Sequence, residues 1–167
     1  VLCDAISSEY LHEIENFLEE WESQAATITV SSSGSTGVPK QIILTKAQVK
    51  ASAKATGSFF NFKKGQTLLL NLSPQYIAGK LMLVRALEYE RNVLVAPVFQ
   101  EPLLSIGDHK VDFAAFVPYQ VAAILNDPKT SEIYQNISQV IIGGAVISNR
   151  VENSLKPMRN KSFATFG

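Results

Sequence analysis

The sequence predicts an α/β fold: a mostly parallel sheet flanked by helices, with a β-hairpin carrying a loop in front of it. Three observations predict it. Strand-like and helix-like segments alternate from Thr45 onward, the order that builds a parallel sheet. Two of the strand-like runs, Thr67–Leu72 and Asn92–Val98, are apolar at most positions, as strands covered on both faces are. Two further runs, Thr27–Ser32 and Gln41–Leu44, flank a serine- and glycine-rich segment that reads as a turn between strands.

Each element has a local reason. Ser8 is placed to cap a helix running to about Glu22. Leu11, Ile14, Leu18 and Trp21 recur there at helical spacing, and Glu13, Glu15, Glu19, Glu20 and Glu22 fill a solvated face. After the hairpin, Thr45 caps an Ala/Lys-rich helix through about Ser58, with Lys46, Lys50 and Lys54 on one surface face. Gly65 ends a turn before the Thr67–Leu72 strand. Pro74–Gly79 is then a loop, and Lys80–Glu88 a helix with Leu81, Val84 and Leu87 on one side. Asn92–Val98 is the next strand, and Gln100–Lys110 a loop with room for a short helical turn. Asp112–Val117 is a strand, and Pro118 suits the first turn of the helix after it. That helix carries Val121, Ile124 and Leu125 and stops before Pro128. Gln139–Ile142 is a strand, Asn149–Lys156 a helix and Ser162–Phe166 a last strand.

Composition narrows the function. Lys+Arg and Asp+Glu are both 15, so the net charge is zero, which disfavours a nucleic-acid partner needing a basic surface. The single cysteine, Cys3, rules out an internal disulfide and fits a reducing, cytoplasmic setting. No apolar run approaches the roughly 20 residues of a membrane span, and no basic segment followed by an apolar core opens the chain. The chain starts on Val1 and stops at Gly167 straight after a strand-like run, so a piece of a longer protein is expected. His12 and His109 lack ligand partners at metal spacing, and there is no Gly-x-Ser-x-Gly elbow.

The chemistry concentrates in Ser31–Lys40, Ser-Ser-Ser-Gly-Ser-Thr-Gly-Val-Pro-Lys. Its backbone N–H groups, hydroxyls and lysine suit a phosphate chain. A plain flexible turn has the same composition, but Pro39 followed directly by Lys40 is more than a linker needs. The order is neither a Gly-Lys-[Ser/Thr] nucleotide loop nor a Gly-x-Gly-x-x-Gly fingerprint. Ligands of parallel sheets bind beyond the carboxyl ends of the strands. Ser73–Gly79, Gly143–Ala145 and the pair Phe166, Gly167 all follow strands.

Ser32–Lys40 resembles the phosphate-binding loop of the acyl-adenylate-forming enzymes, the superfamily of acyl-CoA synthetases, firefly luciferase and peptide-synthetase adenylation domains. It matches at every defined position the pattern Thr/Ser-Ser/Thr-Gly-Ser/Thr-Thr-Gly-x-Pro-Lys. Leu72–Gly79 resembles the family's loop after the next core strand, with Tyr76 where His is frequent. Ile141-Ile142-Gly143-Gly144-Ala145 resembles its Gly-Gly-Ala/Glu segment, and Ala164-Thr165-Phe166-Gly167 the start of its Tyr-Gly-x-Thr-Glu motif. The resemblance runs from about Thr29 to Gly167.

The resemblance implies a two-step, AMP-forming ligation of a small-molecule carboxylic acid to coenzyme A, with ATP and Mg²⁺. Ser32, Ser33, Gly34, Ser35, Thr36, Gly37 and Lys40 would hold the phosphates, with Lys40 and Thr36 acting on the reacting groups. Gly143, Gly144, Ala145, Thr165, Phe166 and Gly167 would flank the adenosine and acyl phosphate. Tyr76 and Gly79 would line the acid pocket. No metal ligand is expected in the chain, Mg²⁺ arriving on the ATP phosphates. Residues 1–26 would be a helical segment and 27–167 part of the family's large domain.

The ribose-binding Asp, the Mg²⁺-binding Glu and the C-terminal domain with its second Lys would lie outside the chain, leaving it little ligase activity alone. The short region before the loop and Leu72–Gly79 look most like bacterial O-succinylbenzoate–CoA ligases of menaquinone synthesis, with departures at Gln41 and Tyr76. Other acyl-CoA synthetases, amino-acid-adenylating domains and a non-catalytic nucleotide-binding module are the competing readings.

Overall fold

The computed structural model describes residues 1–3, 6–31 and 40–165. The expectations for Ser32, Ser33, Gly34, Ser35, Thr36, Gly37, Phe166 and Gly167 therefore lie outside the described residues. The helices are α1 (Ser8–Glu22), α2 (Lys46–Phe59), α3 (Ile77–Glu88), α4 (Pro118–Asn126), α5 (Pro128–Asn136) and α6 (Asn149–Leu155). The strands are β1 (Thr27–Ser31), β2 (Gln41–Thr45), β3 (Thr67–Leu70), β4 (Asn92–Val95), β5 (Phe113–Phe116), β6 (Gln139–Ile142) and β7 (Ser162–Ala164).

β1 and β2 form the expected antiparallel hairpin, with Ser31 opposite Gln41. The other five strands make one parallel sheet in the order β4-β3-β5-β6-β7. From β3 the chain passes to β4 on one side, then returns to β5 on the other. The carboxyl ends of β3 and β5 are thus the point where the winding reverses, where such sheets open a crevice. Strand alternation feeds two cores. Leu68, Leu70, Phe113 and Ala115 face α1, α2, α3 and the hairpin, while Leu69, Ala114 and Phe116 face α4, α5 and α6. Leu68, Leu69 and Leu70 are wholly buried, as the unbroken apolar run predicts. The outer edge of β4 is covered by the amino terminus, where Cys3 N donates to Val95 O and Val95 N to Val1 O, both at 2.9 Å.

Several local expectations shift. The cap of α1 is Ser7, whose side chain accepts from Tyr10 N. The buried stripe of α1 is Tyr10, Ile14 and Phe17, one position round from the stripe centred on Leu18. Glu13 and Glu20 are not merely solvated. Burial raises the Glu20 pKa, but the Lys80 ammonium, the Thr29 N–H and Lys46 outweigh it and hold the carboxyl below its usual value. Thr45 does cap α2, through a reciprocal capping box with Gln48. Lys50 and Lys54 pair with Glu88 at 3.3 and 3.6 Å on the surface.

α3 begins at Ile77 rather than Lys80, so Gly79 sits in its first turn. It buries Lys80, Met82, Leu83, Val84, Arg85 and Ala86 rather than one stripe, and leaves Leu87 exposed. Pro128 starts a helix instead of only stopping one. Asp127 caps α5 by accepting from Lys129 N, and Pro128 fills the first position, where its missing N–H costs nothing. The far end of α5 is closed by Lys161, whose Nζ donates to the carbonyls of Tyr134, Gln135 and Ile137. A cation there meets both the orphan carbonyls and the helix dipole. Lys161→Ala is expected to cost about 1–2 kcal/mol, read as a lower urea midpoint with an unchanged slope.

Candidate functional site

A cavity of about 480 Å³ opens at the carboxyl ends of the parallel strands. α2 and α3 wall it, through Thr56, Phe59 and Phe60 on one side and Ile77, Ala78, Leu81 and Arg85 on the other. The sheet contributes Ala115, Ile141 and Phe163, and the strand ends supply Leu72, Val117, Gly143, Gly144 and Thr165 at its mouth. The lining is mostly apolar, as pockets for organic ligands are.

The mouth depends on two glycines. Gly143 N donates to Phe116 O at 3.1 Å, and Thr165 N to Ile142 O at 2.8 Å, so the ladder continues past the named strands. A Cβ on Gly143 would lie 2.3 Å from Thr165 Oγ1 and 3.2 Å from Thr165 O, so any other residue there requires the Thr165 hydroxyl to turn away. Gly144 has φ +82°, which disfavours other residues. Ala145 follows on the exposed side. Gly143, Gly144 and Thr165, singled out far apart in sequence, therefore meet at one rim.

The two ends of the 32–40 segment are held at the base of the hairpin by the Ser31–Gln41 pair. Ser31 N also donates to Gln75 O at 3.2 Å, tying the entry of that segment to the turn after β3. That turn leads into Ile77 and Ala78 of the cavity wall. Lys40 lies exposed at the other end. Tyr76 and Gly79 are not among the residues lining the cavity. Tyr76 is the cap residue of α3 and 42% exposed, and Gly79 packs against backbone, where a Cβ would lie 2.4 Å from Ser73 O. Their neighbours Ile77 and Ala78 face the cavity instead, because the earlier start of α3 rotates those positions inward.

The most informative side chain here is one that motif reasoning passed over. Arg85 is 5% exposed. Its Nη2 donates to Thr56 Oγ1 at 3.3 Å and its Nη1 to Met82 Sδ at 3.5 Å, while Nε has no partner. The guanidinium lies 5.8 Å from the Phe113 ring. Burial lowers its pKa to about 10, so it stays charged at neutral pH. No ion pair to it is found among the described residues. A buried cation with an unused donor in an apolar cavity suits an anionic ligand group. Thr56, which donates to Ser52 O at 3.0 Å, belongs to the same polar end. The sequence signal was a charged residue inside Leu81–Ala86, otherwise wholly apolar. Among the described residues, no group of three or more His, Cys, Asp or Glu converges as a metal site, and no helix is long and apolar enough to cross a membrane.

Residues 12–167 match the family model of the AMP-binding enzymes. The chain is 31% identical to the acyl-CoA synthetase (AMP-forming)/AMP-acid ligase II-like protein of Dyadobacter fermentans, with a TM-score of 0.88. That likeness covers 97% of this chain and 46% of the relative, so the chain spans about half of its length. O-Succinylbenzoate CoA synthetase of Bacillus subtilis, solved with a product analogue, shares the fold at 22% identity and a TM-score of 0.70, over 87% of this chain and 30% of that one. The same enzyme with ATP and magnesium ion aligns at 20% identity and a TM-score of 0.67, over 83% and 29%. A search of curated proteins finds no match.

Proposed function

The chain belongs to the AMP-binding enzyme family, and from that premise we propose that it is part of the large domain of an AMP-forming acid–CoA ligase. In the first step a carboxylate oxygen attacks the α-phosphorus of ATP. The bond to the bridging oxygen breaks, pyrophosphate leaves and an acyl-adenylate remains. In the second step the sulfur of coenzyme A attacks the acyl carbon, AMP departs with the acyl oxygen, and the thiol proton is released.

The residues divide by place. Ser32, Ser33, Gly34, Ser35, Thr36, Gly37 and Lys40 hold the β- and γ-phosphates, where N–H groups and a cation stabilise the leaving charge. Mg²⁺ bound to those phosphates neutralises further charge. Gly143, Gly144 and Thr165 at the cavity mouth, together with Ala145, Phe166 and Gly167, take the adenosine. The acid lies between α2 and α3, with its reacting carboxylate toward that mouth. Residues 1–26 serve as a helical segment packed on this domain, and the enzyme works in the cytoplasm.

Arg85 carries the proposal about the substrate. An apolar cavity closed by a guanidinium that has no ion pair among the described residues suits an acid with an apolar body and a second anionic group at the far end. O-Succinylbenzoate has that form, one carboxylate to activate and another to pair with Arg85, which supports a role in menaquinone synthesis. The test is pyrophosphate release by the full-length protein across a panel of acids. Aromatic dicarboxylic keto acids are expected to outperform matched monocarboxylic acids by about a hundredfold, the worth of one buried charge-assisted pair. Lys40→Ala is expected to reduce release at least about a hundredfold, as loss of a charge-stabilising group does. Release of ADP instead of AMP, or ATP binding indifferent to Lys40→Ala, would reject the ligase reading. Equal rates with mono- and dicarboxylic acids would reject the substrate class alone.

A further inference from the structure

α1 precedes both the hairpin and the sheet, yet its polar groups reach the carboxyl end of β3. Tyr10 donates its hydroxyl to Leu72 O at 3.0 Å. Three residues on, Glu13 makes two short contacts to the turn after β3. Ser73 Oγ donates to Glu13 Oε2 and Gln75 Nε2 to Glu13 Oε1, each at 2.6 Å. Ser73 Oγ in turn accepts from Gln75 N at 3.1 Å. One carboxylate therefore holds Gln75 through its side chain directly and through its backbone by way of Ser73. The Gln75 carbonyl is the group that accepts the Ser31 N–H. The chain of contacts runs from Glu13 through the turn to the residue that opens the 32–40 segment.

The contacts are economical if their purpose is position. Gln75 is itself exposed. What the two bonds do fix is the direction of its carbonyl, and through it where the end of β1 lies relative to Ile77 and Ala78 in the cavity wall. An in-line attack on phosphorus is sensitive to displacements of about 1 Å between the two reacting groups.

We infer that Glu13 is a positioning residue that sets the register between the phosphate loop and the acid cavity by clamping Ser73 and Gln75. The inference rests on the nucleotide-binding reading of that loop. Glu13 touches no substrate. It acts through the Gln75 carbonyl.

Calorimetric titration of the full-length protein with Mg²⁺ and ATP, well below its melting range, tests this. Glu13→Ala is expected to weaken ATP binding about five- to tenfold, the scale of a lost pair of charge-assisted hydrogen bonds. Glu13→Gln, which keeps an acceptor for Gln75 and a group that can still bond Ser73, is expected to recover most of the affinity. Gln75→Ala, a change at an exposed position that leaves the core intact, is expected to weaken binding as well. A merely structural role would lower the melting midpoint of Glu13→Ala and leave its affinity for ATP at the wild-type value, and that result overturns the inference. So does undiminished ATP affinity in Gln75→Ala. Failure of the wild-type protein to bind ATP overturns the functional reading itself, and the inference with it.

Discussion

Arg85→Met is expected to make the protein more stable and much worse at recognising its acid. The wild-type guanidinium is charged and buried, and among the described residues it has no counter-ion and its Nε no partner. Methionine fills a similar volume, removes the orphaned donor and leaves Thr56 Oγ1 bonded to Ser52 O. Replacing such a charge with an apolar side chain is expected to gain about 1 kcal/mol or more. The pH sign agrees. The folded pKa of about 10 lies below the usual guanidinium value, so the unfolded chain binds the proton more tightly. The burial cost is thus fully present at pH 7 and is relieved only as pH rises through about 10. The gain from Arg85→Met is therefore expected in full in a melting experiment at neutral pH. At the same time the KM for a dicarboxylic acid is expected to rise about a hundredfold, with the KM for ATP nearly unchanged. Arg85→Lys keeps the charge but loses the planar fork, and is expected to restore only part of the acid affinity. A lower midpoint with unaltered acid kinetics would make Arg85 a structural residue.

Gly79→Ala is expected to be the most damaging single-methyl change in the described part of the chain. The added Cβ would lie 2.4 Å from Ser73 O, 2.5 Å from Ser73 C and 2.6 Å from Leu72 O. These are backbone atoms at the end of β3 and cannot swing away. α3 has to move off the turn, taking Ile77, Ala78 and Arg85 with it. The cost is expected to be about 3 kcal/mol or more, roughly 6–12 °C in melting midpoint for a chain of this size. Gly107→Ala is the contrast. Its φ is +55° but nothing lies within 4 Å of the added Cβ, so only the backbone strain of about 1 kcal/mol is expected. Equal losses at the two positions would show that close packing at Gly79 contributes nothing.

The positions of the elements were legible because their signals are local. Thr45 with Gln48 announces a capped helix, and the apolar run from Thr67 announces a covered strand. Where reading failed, two local signals pointed in opposite directions. Pro128 can stop one helix or begin another, and Asp127 before it decides for a beginning by capping α5. Pro74 and Gly79 spell a loop, yet α3 starts at Ile77, because the glycine is needed for contact with the Ser73 carbonyl and not for flexibility. α1 was turned by one position, since Phe17 and Leu18 both satisfy a helical period and only the packed sheet chooses between them. The glutamates of α1 look alike in sequence, but Glu13 and Glu20 bind partners brought near only by the fold.

The candidate site divides along the same line. Order and identity within Ser32–Lys40 and Gly143–Ala145 point to nucleotide chemistry by themselves, because a backbone that must approach phosphate or a flat ring is written in glycines and hydroxyls. The family and the parallel sheet follow from such contiguous patterns. Arg85 does not belong to one. The part proposed for it depends on α2 bringing Thr56 to it and on Phe113 coming up from β5, with no carboxylate paired to it among the described residues. Burial and the absence of a counter-charge among the described residues are properties of a neighbourhood, assembled from segments distant in the chain, so only the tertiary structure could turn an ordinary helical arginine into the group proposed to select the acid.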